Sequence, residues 1–142
     1  MSRHRDVLEE MIGRWVADPD SSVEYAEQVD GRWAVRMRQE ARDVTTVWFD
    51  VGDRSIRAEA YVIPSPPQAA AEVYRQCLVR NIGGWRCHFA LDREDAVVIV
   101  GRLAAEHVDS LELDFLLGEI HQMVEVAFRP LVRAAFSREK PS

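Results

Sequence analysis

Val7, Leu8, Met11, Ile12, Trp15 and Val16 recur at the three- and four-residue steps of an α-helix, so the pattern predicts an amphipathic helix over residues 3–17. Asp18-Pro19-Asp20 stops it. Alternation replaces that spacing at Val23 and Tyr25, and again at Trp33, Val35 and Met37, around Asp30-Gly31. A two-residue Asp-Gly turn would set Tyr25 opposite Arg36. A three-residue loop over 29–31, with Gly31 left-handed, pairs Tyr25 with Val35, Val23 with Met37 and Glu24 with Arg36. It is preferred because register follows the buried face.

A second hairpin with Gly52-Asp53 as its turn sets Phe49 against Ile56 and Val47 against Ala58, leaving Val51 beside Arg54 at the tip. Its other face carries Trp48 across from Arg57, Thr46 across from Glu59, and Val44 near Tyr61. Ser65-Pro66-Pro67-Gln68 has the form of a capping box, predicting a helix over 66–82 that ends at Gly83-Gly84. A third hairpin pairs Cys87, Phe89 and Leu91 with Val100, Val98 and Ala96 across the polar loop 92–95. Its second strand, Val97-Val98-Ile99-Val100, is apolar on both faces and is expected to be central, with cover on each side.

Asp109 and Glu112 form a second capping box, opening a last helix that runs to Phe136. Leu113, Leu117, Ile120, Val124, Ala127, Leu131 and Ala134 make an apolar seam along it, widened by Leu116, Met123 and Phe128. Pro130 is expected to bend the helix near its end, and residues 137–142 to fray. The order is α-β-β-β-β-α-β-β-α, an α+β arrangement without repeats or internal linker. The expectation is one domain over 1–142.

Composition narrows the function classes. With 142 residues, 47% hydrophobic and 30% charged, the chain is globular in type. Its longest apolar run, Ala96 to Val100, is far too short for a membrane span, and no signal-peptide core follows the N-terminus, so a cytoplasmic address is expected. A formal charge of −6, one lysine (Lys140) and scattered arginines argue against nucleic acid. Cys77 and Cys87 are too few for a disulfide scaffold.

Catalytic chemistry has little to stand on. His4, His88, His107 and His121 make no HExxH motif and no zinc-spaced pair, and His107 with Asp109 reads as loop and helix cap. Cys87 and His88 are neighbours on a strand and point to opposite faces, so they form no dyad, while Cys77 reads as a small helical hydrophobe. Gly83-Gly84 follows a helix C-terminus, the reverse of a phosphate loop. Arg32, Arg36 and Arg38 share a strand face that reads as solvated and charge-paired, with Glu24 opposite Arg36. No catalytic residue, metal site or cofactor is expected. Trp48, Arg57 and Tyr61 remain as candidates for partner binding, since aromatic–arginine clusters anchor interfaces; the competing reading covers them with a further helix.

Several runs then point one way. Tyr61-Val62, Pro66-Pro67, Glu72-Val73-Tyr74 and Leu78-Val79-Arg80-Asn81 are followed by His88-Phe89-Ala90-Leu91-Asp92 and Val100-Gly101-Arg102-Leu103. Leu113-Asp114-Phe115-Leu116-Leu117-Gly118 and Phe128-Arg129-Pro130-Leu131 complete the set, with Trp33, Val35, Val47 and Phe49 fitting more loosely upstream. This pattern resembles the YbjN family of bacterial sensory transduction regulators, in a version that is most often actinobacterial. Gln68-Ala69, Glu94-Asp95 and Leu103-Ala104 depart from it, all in loops and caps. The resemblance implies a fold like the type III secretion chaperones, a twisted antiparallel sheet flanked by helices, commonly paired as a homodimer. It makes Leu78, Arg80, Asn81, Gly101, Leu103, Leu113, Asp114, Gly118 and Phe128 structural family positions.

The function expected is therefore a non-catalytic, chaperone-like or regulatory domain that binds another protein. It is expected to act as a homodimer whose contact uses the 66–82 or 109–136 helix and part of the sheet. The seam at Leu113–Ala134 motivates the dimer unless one subunit buries it internally. The rival readings are a small-ligand sensor and a small enzyme, the latter needing His88, Arg86 and Asp114 to converge.

Overall fold

The structure, a computed structural model, describes residues 2–137. Its elements are α1 (Arg3–Ala17), β1 (Val23–Val29), β2 (Arg32–Arg38), β3 (Val44–Val51), β4 (Ser55–Ile63), α2 (Ala70–Asn81), β5 (Cys87–Leu91), β6 (Val97–Ala104), a 3-10 turn (Ala105–His107) and α3 (Ser110–Phe136). The strands form one antiparallel sheet in the order β1-β2-β3-β4-β6-β5. The expected element order is the observed one. Beyond Ser137, the tail expected to fray lies outside the described residues.

The helices begin and end for local reasons. Ser2 accepts from Arg5 N at 3.3 Å to open α1, and Asp109 Oδ1 accepts from Glu112 N at 2.8 Å to open α3. The reciprocal half of that second capping box does not form, because the Glu112 carboxylate is taken by Arg86. The Ser65–Gln68 box does not form either. Gln68 donates instead to Ala134 O and Ser137 O at the end of α3, and α2 starts only after Ala69, whose φ is 52°.

Each hairpin register differs from the expected one, and each difference has a backbone cause. In the first, Asp30 and Gly31 both take positive φ (51° and 80°), which makes the two-residue turn and sets Tyr25 against Arg36. A bulge at Glu24 then restores the buried Val23 to its place opposite Met37. Glu24 is thereby lifted out of register and does not face Arg36. The second hairpin reverses at Asp53-Arg54, with Gly52 N donating to Ser55 O at 2.9 Å. Val51 thus pairs with Ile56 instead of being stranded at the tip, and Trp48 faces Glu59, not Arg57. The shift is two residues, so every side chain keeps its face.

The third hairpin is off by one. Asp95 adopts φ 62° inside the loop closed by Asp92 N to Ala96 O at 3.0 Å, so Cys87 faces Gly101 and Phe89 faces Ile99. An odd shift exchanges faces. Val97, Ile99 and Gly101 join Cys87 and Phe89 on the buried side, while Val98 and Val100 turn to the other with His88 and Ala90.

The core lies between the helices and one sheet face. Val35, Met37, Val47, Phe49, Ile56, Ala58, Ala60 and Ile99 meet Leu8, Ile12 and Trp15 of α1, Val73 of α2, and Leu113, Leu116, Ile120, Val124, Ala127 and Leu131 of α3. The seam on α3 is therefore satisfied within one chain, closing on Ala135 four residues after Leu131 and leaving Ala134 half-buried. Gly101 permits the closest approach: a Cβ there would lie 2.7 Å from Leu116 Cδ1 and 3.0 Å from Arg86 O. All three helices pack on this side, so the opposite face of the sheet has no helical cover. As expected, β6 lies inside the sheet, between β4 and β5; on its helix-free side Val98 is buried at 2% without a helix over it, and Val100 is half-buried.

Candidate functional site

The helix-free face is ordered in cross-strand rows. One row runs Arg32, Asp50, Arg57, Arg102; the next runs Glu27, Ala34, Trp48, Glu59, Val100, His88. A third row runs Tyr25, Arg36 and Thr46 and continues through Tyr61, Val98 and Ala90. Trp48 is directly opposite Glu59, with Arg57 and Tyr61 at the two diagonal positions. The three candidates are thus brought together, and no helix covers them. Tyr61 is 49% exposed, while Trp48 and Arg57 are half-buried among their neighbours.

Charges here are paired, though not as expected. Arg32 bonds Asp50 at 2.7 Å and stacks 4.7 Å over Trp48; Arg57 bonds Glu59 at 2.7 Å. Arg36 lies 5.7 Å over the Tyr25 ring in place of a bond to Glu24, and Arg38 donates to Ser21 O at 2.6 Å. Arg42, from the loop before β3, donates to Tyr61 O and Val62 O and covers the Phe128 ring at 5.0 Å. It thereby holds the irregularity in β4 that lets both Val62 and Ile63 be buried.

A second exposed surface went unrecognised in the sequence. Ile82 is 87% and Trp85 84% exposed, beside Leu78 at 68% and half-exposed Val79. On α2 the buried positions are Val73 and Cys77, so Leu78, Val79 and Ile82 fall out of phase with them. That excess of apolar positions was the available signal. The adjoining loop is fixed to α3: Glu119 accepts from Trp85 N and Arg86 N, while Arg86 bonds Glu112 at 2.8 and 3.0 Å and lies 4.8 Å over Phe115. The Arg86 bond holds the Glu112 carboxyl below its ordinary value.

The titratable groups are dispersed. Asp114 accepts from Trp15 Nε1 at 2.9 Å, Arg86 belongs to Glu112 and Glu119, and His88 stands on the helix-free face, so these three do not converge. Cys87 faces Met123 Sδ at 3.3 Å in the core, and burial pushes its thiol up to about 12; burial pushes Cys77 to about 11. Such thiols are poor nucleophiles at neutral pH. His4 bonds Gly52 O at 2.7 Å and His121 bonds Arg38 O at 2.8 Å, both as structural links. Among the described residues no group of three His, Cys, Asp or Glu side chains is placed to hold a metal ion, and no helix is long and apolar enough to cross a membrane.

The family positions have mostly structural surroundings. Asn81 donates to Phe89 O at 3.1 Å and accepts from Phe89 N at 2.7 Å, occupying the outward backbone groups of edge strand β5. Leu103 and Leu113 are core, Gly101 admits Leu116, Asp114 anchors Trp15, and Phe128 lies under Arg42. Arg80 buries its Nε without a hydrogen-bond partner among the described residues. Leu78 and Gly118 differ: both are exposed, and nothing lies within 4 Å of a Cβ placed on Gly118.

Comparison with known proteins agrees with this architecture. Two solved structures share the fold at a TM-score of 0.60: the Yersinia pestis type III secretion chaperone SycH, in complex with a fragment of YscM2, and YbjN from E. coli. SycH is 16% identical, with 88% of this chain and 98% of SycH covered; YbjN is 14% identical, with 94% and 95% covered. An uncharacterized Mycobacterium leprae protein, ML2442, is 31% identical over 115 residues, and Mycobacterium tuberculosis Rv0487 is 34% identical over 88. The match covers 80% and 62% of this chain but only 62% and 48% of those relatives. Residues 8–132 match the family described as "Putative bacterial sensory transduction regulator", and the chain belongs to that family, YbjN.

Proposed function

We propose that this chain is a non-catalytic protein-binding domain, chaperone-like or regulatory, that works in the cytoplasm as a homodimer. The observation that carries the reading is the helix-free sheet face, where Trp48, Arg57 and Tyr61 meet as an aromatic–arginine cluster of the kind that anchors interfaces. The SycH likeness supports it at the level of fold, since that chaperone was solved with a protein fragment bound. A partner lies across this face and does not extend the sheet at β5, whose edge Asn81 occupies. Pull-down from a mycobacterial lysate tests it. Wild type retains a partner that the folded double variant Trp48→Ala, Arg57→Ala loses; equal recovery by both rules this face out.

The dimer uses the other exposed surface, Leu78, Val79, Ile82 and Trp85, since the α3 seam is buried within one chain. Light scattering at micromolar concentration gives a dimer for wild type and a monomer for Ile82→Asp with Trp85→Asp. A strict wild-type monomer rejects the dimer. Small-ligand sensing is the weaker reading, because the wider troughs, each about 600 Å³, are open and lined largely by polar and charged side chains, while the apolar one at Tyr74, Cys77, Leu78, Phe89 and Leu91 holds only about 280 Å³.

A further inference from the structure

We infer that the helix-free face receives an acidic, extended segment of a partner protein, with a carboxylate seated between Arg57 and Arg102 and an apolar residue over Tyr61. The inference rests on the reading of this face as the partner-binding surface and gives that partner its chemistry.

Arg57 and Arg102 are direct cross-strand partners, a placement in which like charges repel. The carboxylates beside them are committed, Asp50 to Arg32 and Glu59 to Arg57, each at 2.7 Å. Arg102 is exposed, and among the described residues its side chain makes no hydrogen bond or ion pair. The two arginines line an open trough of about 580 Å³ together with Arg93, His88 and Val100, and with Glu59 and Asp92, whose carboxylates are already engaged, Glu59 by Arg57 and Asp92 by the backbone N–H groups of Glu94 and Ala96. Across the face, Arg32, Arg36, Arg38, Arg57 and Arg102 outnumber Glu27, Asp50 and Glu59, leaving it at +2 on a chain of −6. A carboxylate between Arg57 and Arg102 relieves their repulsion with charge-assisted bonds. Arg57 and Tyr61 are four residues apart on β4, about 13 Å at strand rise. An extended segment parallel to the strand therefore carries Asp or Glu four positions from an apolar residue. A polyphosphate fits less well, because Asp50 and Glu59 interrupt the arginines and the face holds too little net charge.

Selection of a random-sequence peptide library on the immobilised protein, followed by fluorescence anisotropy with the recovered peptides, tests this. The expected peptides pair Asp or Glu with Leu, Phe, Tyr or Trp four residues away, and bind more weakly as salt rises. Arg102→Glu, at an exposed and unpaired position, lowers their affinity about tenfold or more, while Arg129→Glu on α3 leaves it unchanged. Peptides without acidic residues that respond to Trp48→Ala but not to Arg102→Glu overturn the acidic partner and leave the face as a binding surface. Recovery of no peptides, or of peptides indifferent to every substitution on the face, refutes both. Self-association that Arg102→Glu abolishes in light scattering makes the occupant a second copy and overturns the inference. Arg102-dependent binding of labelled single-stranded DNA or phosphatidylserine vesicles, as tight as that of the peptides, also overturns it.

Discussion

Asn81→Ala removes the side chain that closes the edge of β5. Two bonds are lost, the one to Phe89 O at 3.1 Å and the one from Phe89 N at 2.7 Å, at a residue whose ring is buried. At about 1 kcal/mol net for each hydrogen bond, the fold loses roughly 2 kcal/mol. An unfolding entropy of about 2.1 cal/mol/K per residue, over 142 residues, is about 0.3 kcal/mol/K, so the loss lowers Tm by about 7 °C. Asn81→Asp keeps the acceptor for Phe89 N but sets a carboxylate against Phe89 O, and loses at least half as much. Thermal unfolding followed by circular dichroism gives the shift. Amide exchange gives the location: Phe89 N–H exchanges faster in the variant, whereas the amides of β3 follow only the global change. The freed edge also promotes self-pairing, visible as added scattering. An Asn81→Ala protein within a degree of wild type, or with an unaltered Phe89 amide, refutes this role.

Gly101→Ala forces a methyl against Leu116 and Arg86 O, and urea unfolding shows a loss of about 1–3 kcal/mol, partly recovered by Leu116→Ala in the same chain. Gly118→Ala does the opposite. With open space around it in the middle of α3, it gains about 1 kcal/mol, read as a higher urea midpoint. Burial alone would raise the Glu125 carboxyl, but bonds from Glu40 N, Gln39 and Ala41 N outweigh it and hold the group below 4.5. A depressed carboxyl contributes stability above its unfolded value and loses it as pH falls through the folded one. Glu125→Gln is therefore less stable than wild type at neutral pH, and the gap closes as pH falls through the depressed folded value in acid titrations of unfolding. Cys77 and Cys87, with thiols raised by burial, react with a disulfide reagent at neutral pH only as fast as the protein opens.

Periodicity made the elements legible but not their partners. The helices at Arg3–Ala17 and Ser110–Phe136 follow from apolar spacing and capping residues, and the strands follow from alternation, except β6, which follows from its continuous apolar run. Register depends on which residue takes positive φ, and Asp30, Ala69 and Asp95 do so without being glycine. Asp95 alone moved Val98 and Val100 to the helix-free face. The cluster of Trp48, Arg57 and Tyr61 was readable as three residues on one side of a hairpin, because a shift of two residues preserves faces. Its exposure was not readable, since that depends on all three helices crossing to the same side. The Leu78, Ile82 and Trp85 surface was missed because an apolar residue out of phase on a helix looks like extra core until the helix is placed.

Hydrogen exchange on the complex with a co-purified partner tests the binding face most directly. Protection by the partner is predicted at residues 46–50, 57–61 and 98–102, with residues 78–85 unchanged in the dimer. Protection confined to other elements, with those three stretches exchanging as in the free protein, contradicts a partner held on the bare face of the sheet.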